Sequence, residues 1–195
     1  MKNAEILKNF IEKNNGLLLA SDVKKLNIHN QYVKLLCNEN YIYKVEKGVY
    51  AKKEKNVNEF FLIQQRYKSG IFSHNTALYF YHLTDRTPIK YDLTFKNNIR
   101  IRNNVVKAHY INQDCYEIGL TEMNLEDGTT IKLYDMERTI IDIVRDRNKI
   151  DLQIFNNAMN DYVKRNDKNF ARLGKYAKIF KVENVLKKYM EVLQW

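Results

Sequence analysis

Three groups of residues in this chain have the types and spacing to do chemistry. The first is Asn30, Gln31, Lys34 and Asn38, followed closely by the stretch YKVEKGVYAKK with Lys44, Lys47, Lys52 and Lys53. Asn and Gln can exchange paired hydrogen bonds with an adenine edge and Lys can reach guanine acceptors, each bidentate contact giving about 1–3 kcal/mol of discrimination. Lysines on a small hairpin beside them suit phosphates, which position a protein on a duplex without reading its sequence. The second group is Glu137-Arg138-Thr139 with Asp142. Glu137 falls in a first helical turn, where the backbone dipole favours negative charge, and Arg138 and Asp142 form an i,i+4 pair, so the group reads as an ion-paired bracket. The third is Lys168, Arg172, Lys175 and Lys178, a stripe open to two readings: a second nucleic-acid surface or a solvated face.

Catalytic patterns are thin. Metal-dependent nucleases of the restriction type set Glu/Asp-x-Lys on a strand, so that carboxylates hold a cation and lysine steadies developing charge. Here the obvious Asp-x-Lys, Asp22-Val23-Lys24, falls on an expected helix. A Walker loop, a Gly-rich dinucleotide fingerprint and the Gly-Ser turn before paired aspartates of nucleotidyltransferases are all missing from the sequence. His74 and His82 lie eight residues apart, about two helical turns, too far for a shared metal. With His29 and His109 they read as surface or cap residues. Cys37 and Cys115 sit in unlike contexts and read as small buried apolar groups. No cofactor, metal or catalytic residue is expected.

The elements that must carry these groups follow from composition and periodicity. Among 195 residues, 33 Lys and Arg outnumber 23 Asp and Glu, and the net charge of +10 favours a polyanionic partner. Residues 1–55 hold 11 basic and 6 acidic side chains, residues 56–150 hold 13 and 12, and residues 151–195 hold 9 and 5. The basic ends flank a balanced middle, which puts the first polyanion-binding candidate at the N-terminus. No run approaches the roughly 20 apolar residues of a membrane span, and the start MKNAEILKNF lacks a signal-peptide core, so a cytoplasmic protein is expected.

Helical spacing of Ile6, Leu7, Phe10 and Ile11 predicts a helix over residues 3–14, stopped at Asn15-Gly16. A short strand (17–20), a helix capped by Ser21, a polar turn (27–30), a helix over 30–38 and a hairpin (41–45 and 48–51) follow. That order is the order of a winged helix-turn-helix, with the hairpin as wing and the 30–38 helix in the major groove. A helix over 56–69, with Lys55 beside the wing, leads into the second half. There Ser73, Asp135, Asp151 and Asn169 open helices, and the runs between Pro88 and Tyr134 predict a small, largely antiparallel sheet. The expected class is α+β: a winged helix over 1–55 and a mixed domain with C-terminal helices over 56–195.

The motifs KVEKGVYA, GIFSHNTALYFYHLTD, YDMERTIIDIVRDR and ARLGKYAKIFKVENVLKKYMEVL together resemble the AbiEi-type antitoxins of type IV toxin–antitoxin systems, known from bacterial abortive infection of phage. The resemblance spans nearly the whole chain. It implies a winged helix that represses its own operon by binding promoter repeats in double-stranded DNA. It also implies a C-terminal domain that neutralises a nucleotidyltransferase-like toxin without a stable complex. The family's DNA-contacting elements fall on residues 30–38 and 44–53, and its Glu-Arg-Thr pattern on Glu137, Arg138 and Thr139. The alternative is a nucleic-acid-processing enzyme, a nuclease-like C-terminal domain targeted by a winged helix.

Overall fold

The protein is described over residues 2–193 of a computed structural model. It divides into two units, one comprising residues up to Lys68 together with Met123–Ile131, the other comprising Ser69–Glu122 and the chain from Lys132 onward.

In the first unit the order is α1 (Lys2–Lys13), β1 (Leu17–Leu19), α2 (Ala20–Lys25), α3 (Gln31–Asn38), β2 (Tyr43–Glu46), β3 (Val49–Ala51) and α4 (Glu59–Arg66). The apolar faces of its first three helices converge on one core of Leu7, Ile11, Leu18, Val23, Ile28, Val33, Leu36 and Ile42. Each fully buried aliphatic side chain stabilises by about 1.5–3 kcal/mol. The helices stop on asparagines in the left-handed region, Asn15 (φ 50°), Asn27 (φ 53°) and Asn40 (φ 56°). The following amide reaches back in each case: Gly16 to the Ile11 carbonyl (2.8 Å), Ile28 to Val23 (3.0 Å) and Tyr41 to Leu36 (2.9 Å). These six-to-one bonds satisfy carbonyls that helix ends would otherwise leave open.

The expected hairpin gains a third strand, since β1 also pairs antiparallel with β3, Leu18 opposite Tyr50, giving the order β1-β3-β2. A register shift lies between Lys44 and Glu46. Ser21 is not the cap of α2: the helix begins one residue earlier, and the Asp22 carboxylate accepts from the Leu19 amide at 3.1 Å. The boundary between units falls after Lys68 rather than at residue 55. Asp127 shows why, since its backbone carbonyl accepts from Asn15 Nδ2 (3.0 Å) and from Lys55 Nζ, and its carboxylate from the Asn58 amide (2.9 Å).

The second unit contains β4 (Ile71–Phe72), α5 (His74–Phe80), β5 (Tyr91–Lys96), β6 (Val106–Ile111), α6 (Gln113–Tyr116), β7 (Leu120–Asn124), β8 (Thr130–Tyr134) and α7 (Met136–Arg145). It ends in α8 (Leu152–Lys164), α9 (Phe170–Ile179) and α10 (Glu183–Leu193). The tip of the β7–β8 connection, with the last two residues of β7 and the first two of β8, is the piece that groups with the first unit. Its sheet, β6-β5-β4-β8-β7, is mixed rather than largely antiparallel: β4–β5 is antiparallel, but β5–β6 and β4–β8 are parallel. Alternating polarity marks strands without fixing their direction, so the parallel pairs could not be read from it. Beside the sheet, Leu78, Met136, Ile140, Ile141, Ile143 and Val144 pack with Phe155, Met159, Tyr162 and Leu173 in one core.

Candidate functional site

On the first unit, Asn30, Gln31, Lys34 and Asn38 are all exposed at the start and along the outer face of α3, because Val33 and Leu36 take the buried face. A groove of about 530 Å³ runs between this helix and the hairpin, lined by Asn30, Val33, Lys34, Asn38, Lys44 and Tyr50. It gathers four of the residues that the sequence points to. Gln31 lies outside the lining, and Lys47, exposed, sits in the β2–β3 turn beside Gly48 (φ +77°). Two of the basic residues are otherwise engaged. Lys52 pairs with Glu12 and stands 5.2 Å over the Tyr41 ring, and the bond to Glu12 raises its pKa. Lys55 does not extend the hairpin's basic edge, because its ammonium is tucked against Asp127 with the side chain only 9% exposed. Lys53 remains exposed.

The Glu137-Arg138-Thr139 and Asp142 group is fully enclosed. Arg138 donates to Asp142 (3.0 Å) and to the carbonyls of Cys115 (2.9 Å) and Ile118 (2.7 Å), while its guanidinium lies 4.1 Å from the ring centroids of both Tyr134 and Phe180. Glu137 accepts from the Asn169 amide (2.8 Å) and Tyr162 Oη (3.3 Å), and Thr139 Oγ1 donates to the Asp135 carbonyl (2.9 Å). These bonds tie α7 to its neighbours. The third group does not form one free basic face: Arg172 pairs with Glu137 (3.5 Å) and Asp135 (3.7 Å), Lys178 with Glu183 (3.8 Å), and Lys168 donates to the Arg165 carbonyl (2.6 Å). Lys175 is exposed.

A further cluster is not expected from sequence. His29 and His82 are exposed, as surface residues should be, but His74 is 5% exposed and His109 is half-buried, and the two rings stack at 3.6 Å and 10°. Asp146 Oδ2 lies 3.2 Å from His74 Nε2 and 3.6 Å from His109 Nδ1. The far nitrogens are also engaged, His74 Nδ1 with Ser73 Oγ (3.0 Å) and His109 Nε2 with Asp92 Oδ1 (2.6 Å). Burial, with the charge of His109 beside it, lowers the pKa of His74. Burial also opposes protonation of His109, but bonds to Asp146 and Asp92 outweigh it and raise its pKa. The same bonds from His109 and His74 hold the Asp146 carboxyl well below the usual range. His74 opens α5, His109 lies in the middle of β6 and Asp146 follows α7, so no local spacing could join them. The one readable signal is polar: Ser73-His74-Asn75-Thr76 interrupts an otherwise apolar stretch at a helix start.

No protein-family model and no curated protein matches the chain. Among solved structures it is similar to the RV2827C protein from Mycobacterium tuberculosis, with a TM-score of 0.55 and 12% sequence identity, covering 91% of this chain and 72% of that one. At that identity the likeness is one of fold alone. No helix among the described residues is long and apolar enough to cross a membrane.

Proposed function

We propose that the first unit is a winged helix-turn-helix that binds double-stranded DNA, and that the protein is an autorepressing antitoxin of a type IV system. The carrying observation is the groove where Asn30, just ahead of α3, and Lys34 and Asn38 on it meet Lys44 of the wing. It joins amide groups suited to base edges with ammonium groups suited to phosphates. The order helix, strand, helix, helix, hairpin, with β1 completing the small sheet, supports the same reading. The antitoxin half rests on the resemblance carried by KVEKGVYA and YDMERTIIDIVRDR, which implies a nucleotidyltransferase-like toxin as functional partner, neutralised without a stable complex.

Fluorescence anisotropy on a duplex from upstream of the protein's own gene tests the DNA half. Removing one ammonium that neutralises a phosphate should flatten the slope of log K against log salt by about 0.9. Lys34→Ala and Lys44→Ala should each do so, whereas Lys52→Ala, already paired with Glu12, should leave the slope alone. Unchanged slopes in the first two would refute the interface. Co-expression with the toxin tests the other half: Lys34→Ala should lose repression of a promoter reporter yet still rescue growth.

A further inference from the structure

We propose that His74, His109 and Asp146 bind one divalent transition-metal ion of the zinc class. The three donor atoms lie within 4.8 Å of one another. Zinc bonds to His and Asp of about 2.0–2.2 Å set tetrahedral donors about 3.4 Å apart. The two His-to-Asp146 separations, 3.2 and 3.6 Å, bracket that value.

The outer contacts are those a metal-binding histidine needs. His109 Nε2 meets Asp92, itself 2% exposed, and His74 Nδ1 meets Ser73 Oγ, which accepts from Thr94 Oγ1 at 2.8 Å. Such partners fix the tautomer and orient each ring. Of the cations near the cluster, Lys149 takes Asp146 Oδ1 (3.3 Å), leaving Oδ2 to the histidines, Lys107 faces Asp92 (3.7 Å), and Arg145 faces Asp142 (3.2 Å). Arg138, which also lines the cavity, donates to Asp142 Oδ1 through Nε (3.0 Å), and its Nη2 has no hydrogen-bond partner among the described residues. The ligands border a polar cavity of about 330 Å³, which gives an entry path and leaves a fourth position open. Asp142, 1% exposed, lines the same cavity and carries an Oδ2 with no hydrogen-bond partner among the described residues. Two imidazoles with one carboxylate select zinc or cobalt over magnesium, which prefers oxygen donors. The stacked rings must turn to aim both lone pairs at one centre, so loading opens the stack.

The test uses the full chain, free of any histidine tag and stripped with a chelator. Zinc titration by calorimetry and cobalt titration by visible absorption should each saturate at one ion per chain, with zinc displacing cobalt. His74→Ala and His109→Ala should weaken zinc at least tenfold. Asp92→Asn, which touches no metal, should weaken it about 10–100-fold. His29→Ala and His82→Ala should bind as the parent does. Absence of saturable zinc binding by the parent chain would overturn the assignment. So would undiminished affinity in folded His74→Ala and His109→Ala, or magnesium binding as well as zinc. The parent titrations stand whether or not a ligand variant folds.

Discussion

Arg138 concentrates more of the second unit's organisation than any other side chain in its motif. It is fully buried, and it joins α7 to two carbonyls outside the helix while its flat face covers Tyr134 and Phe180. The approach is close enough that a Cβ built on Gly119, at φ +78°, would come within 2.6 Å of Arg138 Cβ. Arg138→Ala strands Asp142 with only Arg145 and leaves the Cys115 and Ile118 carbonyls open, so it should cost about 3–5 kcal/mol in urea unfolding. A loss at or below the 1 kcal/mol or so of an exposed pair would contradict this account. The bracket is readable in the sequence because both partners sit on one helix, four residues apart. His74 and Asp146, 72 residues apart, could only be joined by the sheet and helices between them.

At the scale of elements, caps and stops are legible because they are local chemistry. Asp135 accepts from the Arg138 amide, Asp151 from Gln153 and Ile154, and Asn169 from Arg172, as side-chain oxygens at helix starts should. Ser73 departs from that pattern, since its hydroxyl is engaged by His74 and Thr94 instead of an amide. Strand direction and the outlying hairpin tip are not legible, because they depend on residues far apart in sequence. Asp127 in that tip makes a pH prediction. Burial raises its pKa, but bonds from Thr129 and the Asn58 amide, and the charge of Lys55, more than offset this and lower it overall. A folded pKa below the unfolded value of about 3.9 means stabilisation that is complete above that value and lost as pH falls through the folded one. The urea midpoint of the parent should therefore drop more steeply on acidification than that of Asp127→Asn. Parallel curves for the two would remove Asp127 as the cause.

For the molecule as a whole, charge distribution locates the basic N-terminal region but places its edge at residue 55, where the composition changes. The physical edge is later and also non-contiguous, because residues 123–131 return to the first unit. A chain cut after residue 68 keeps α1 to α4 and the full three-stranded sheet. It loses the acceptors that Asp127 supplies to Asn15, Lys55 and Asn58. Lys55, nearly enclosed in the intact chain, then has its ammonium without a carboxylate partner, and a hydrogen bond to a charged group contributes about 1.5–3 kcal/mol. A fragment of residues 1–68 should fold, since the core of Leu7, Ile11, Leu18, Val23 and Leu36 lies wholly within it. It should nevertheless unfold at lower urea than the same unit in the intact chain, followed by amide exchange at Leu18 and Tyr50. Lys55→Met should narrow that gap by removing the Lys55–Asp127 pair from the parent. Equal protection of those amides in fragment and intact chain would mean that the hairpin tip adds nothing, and that the first unit closes upon itself at residue 68.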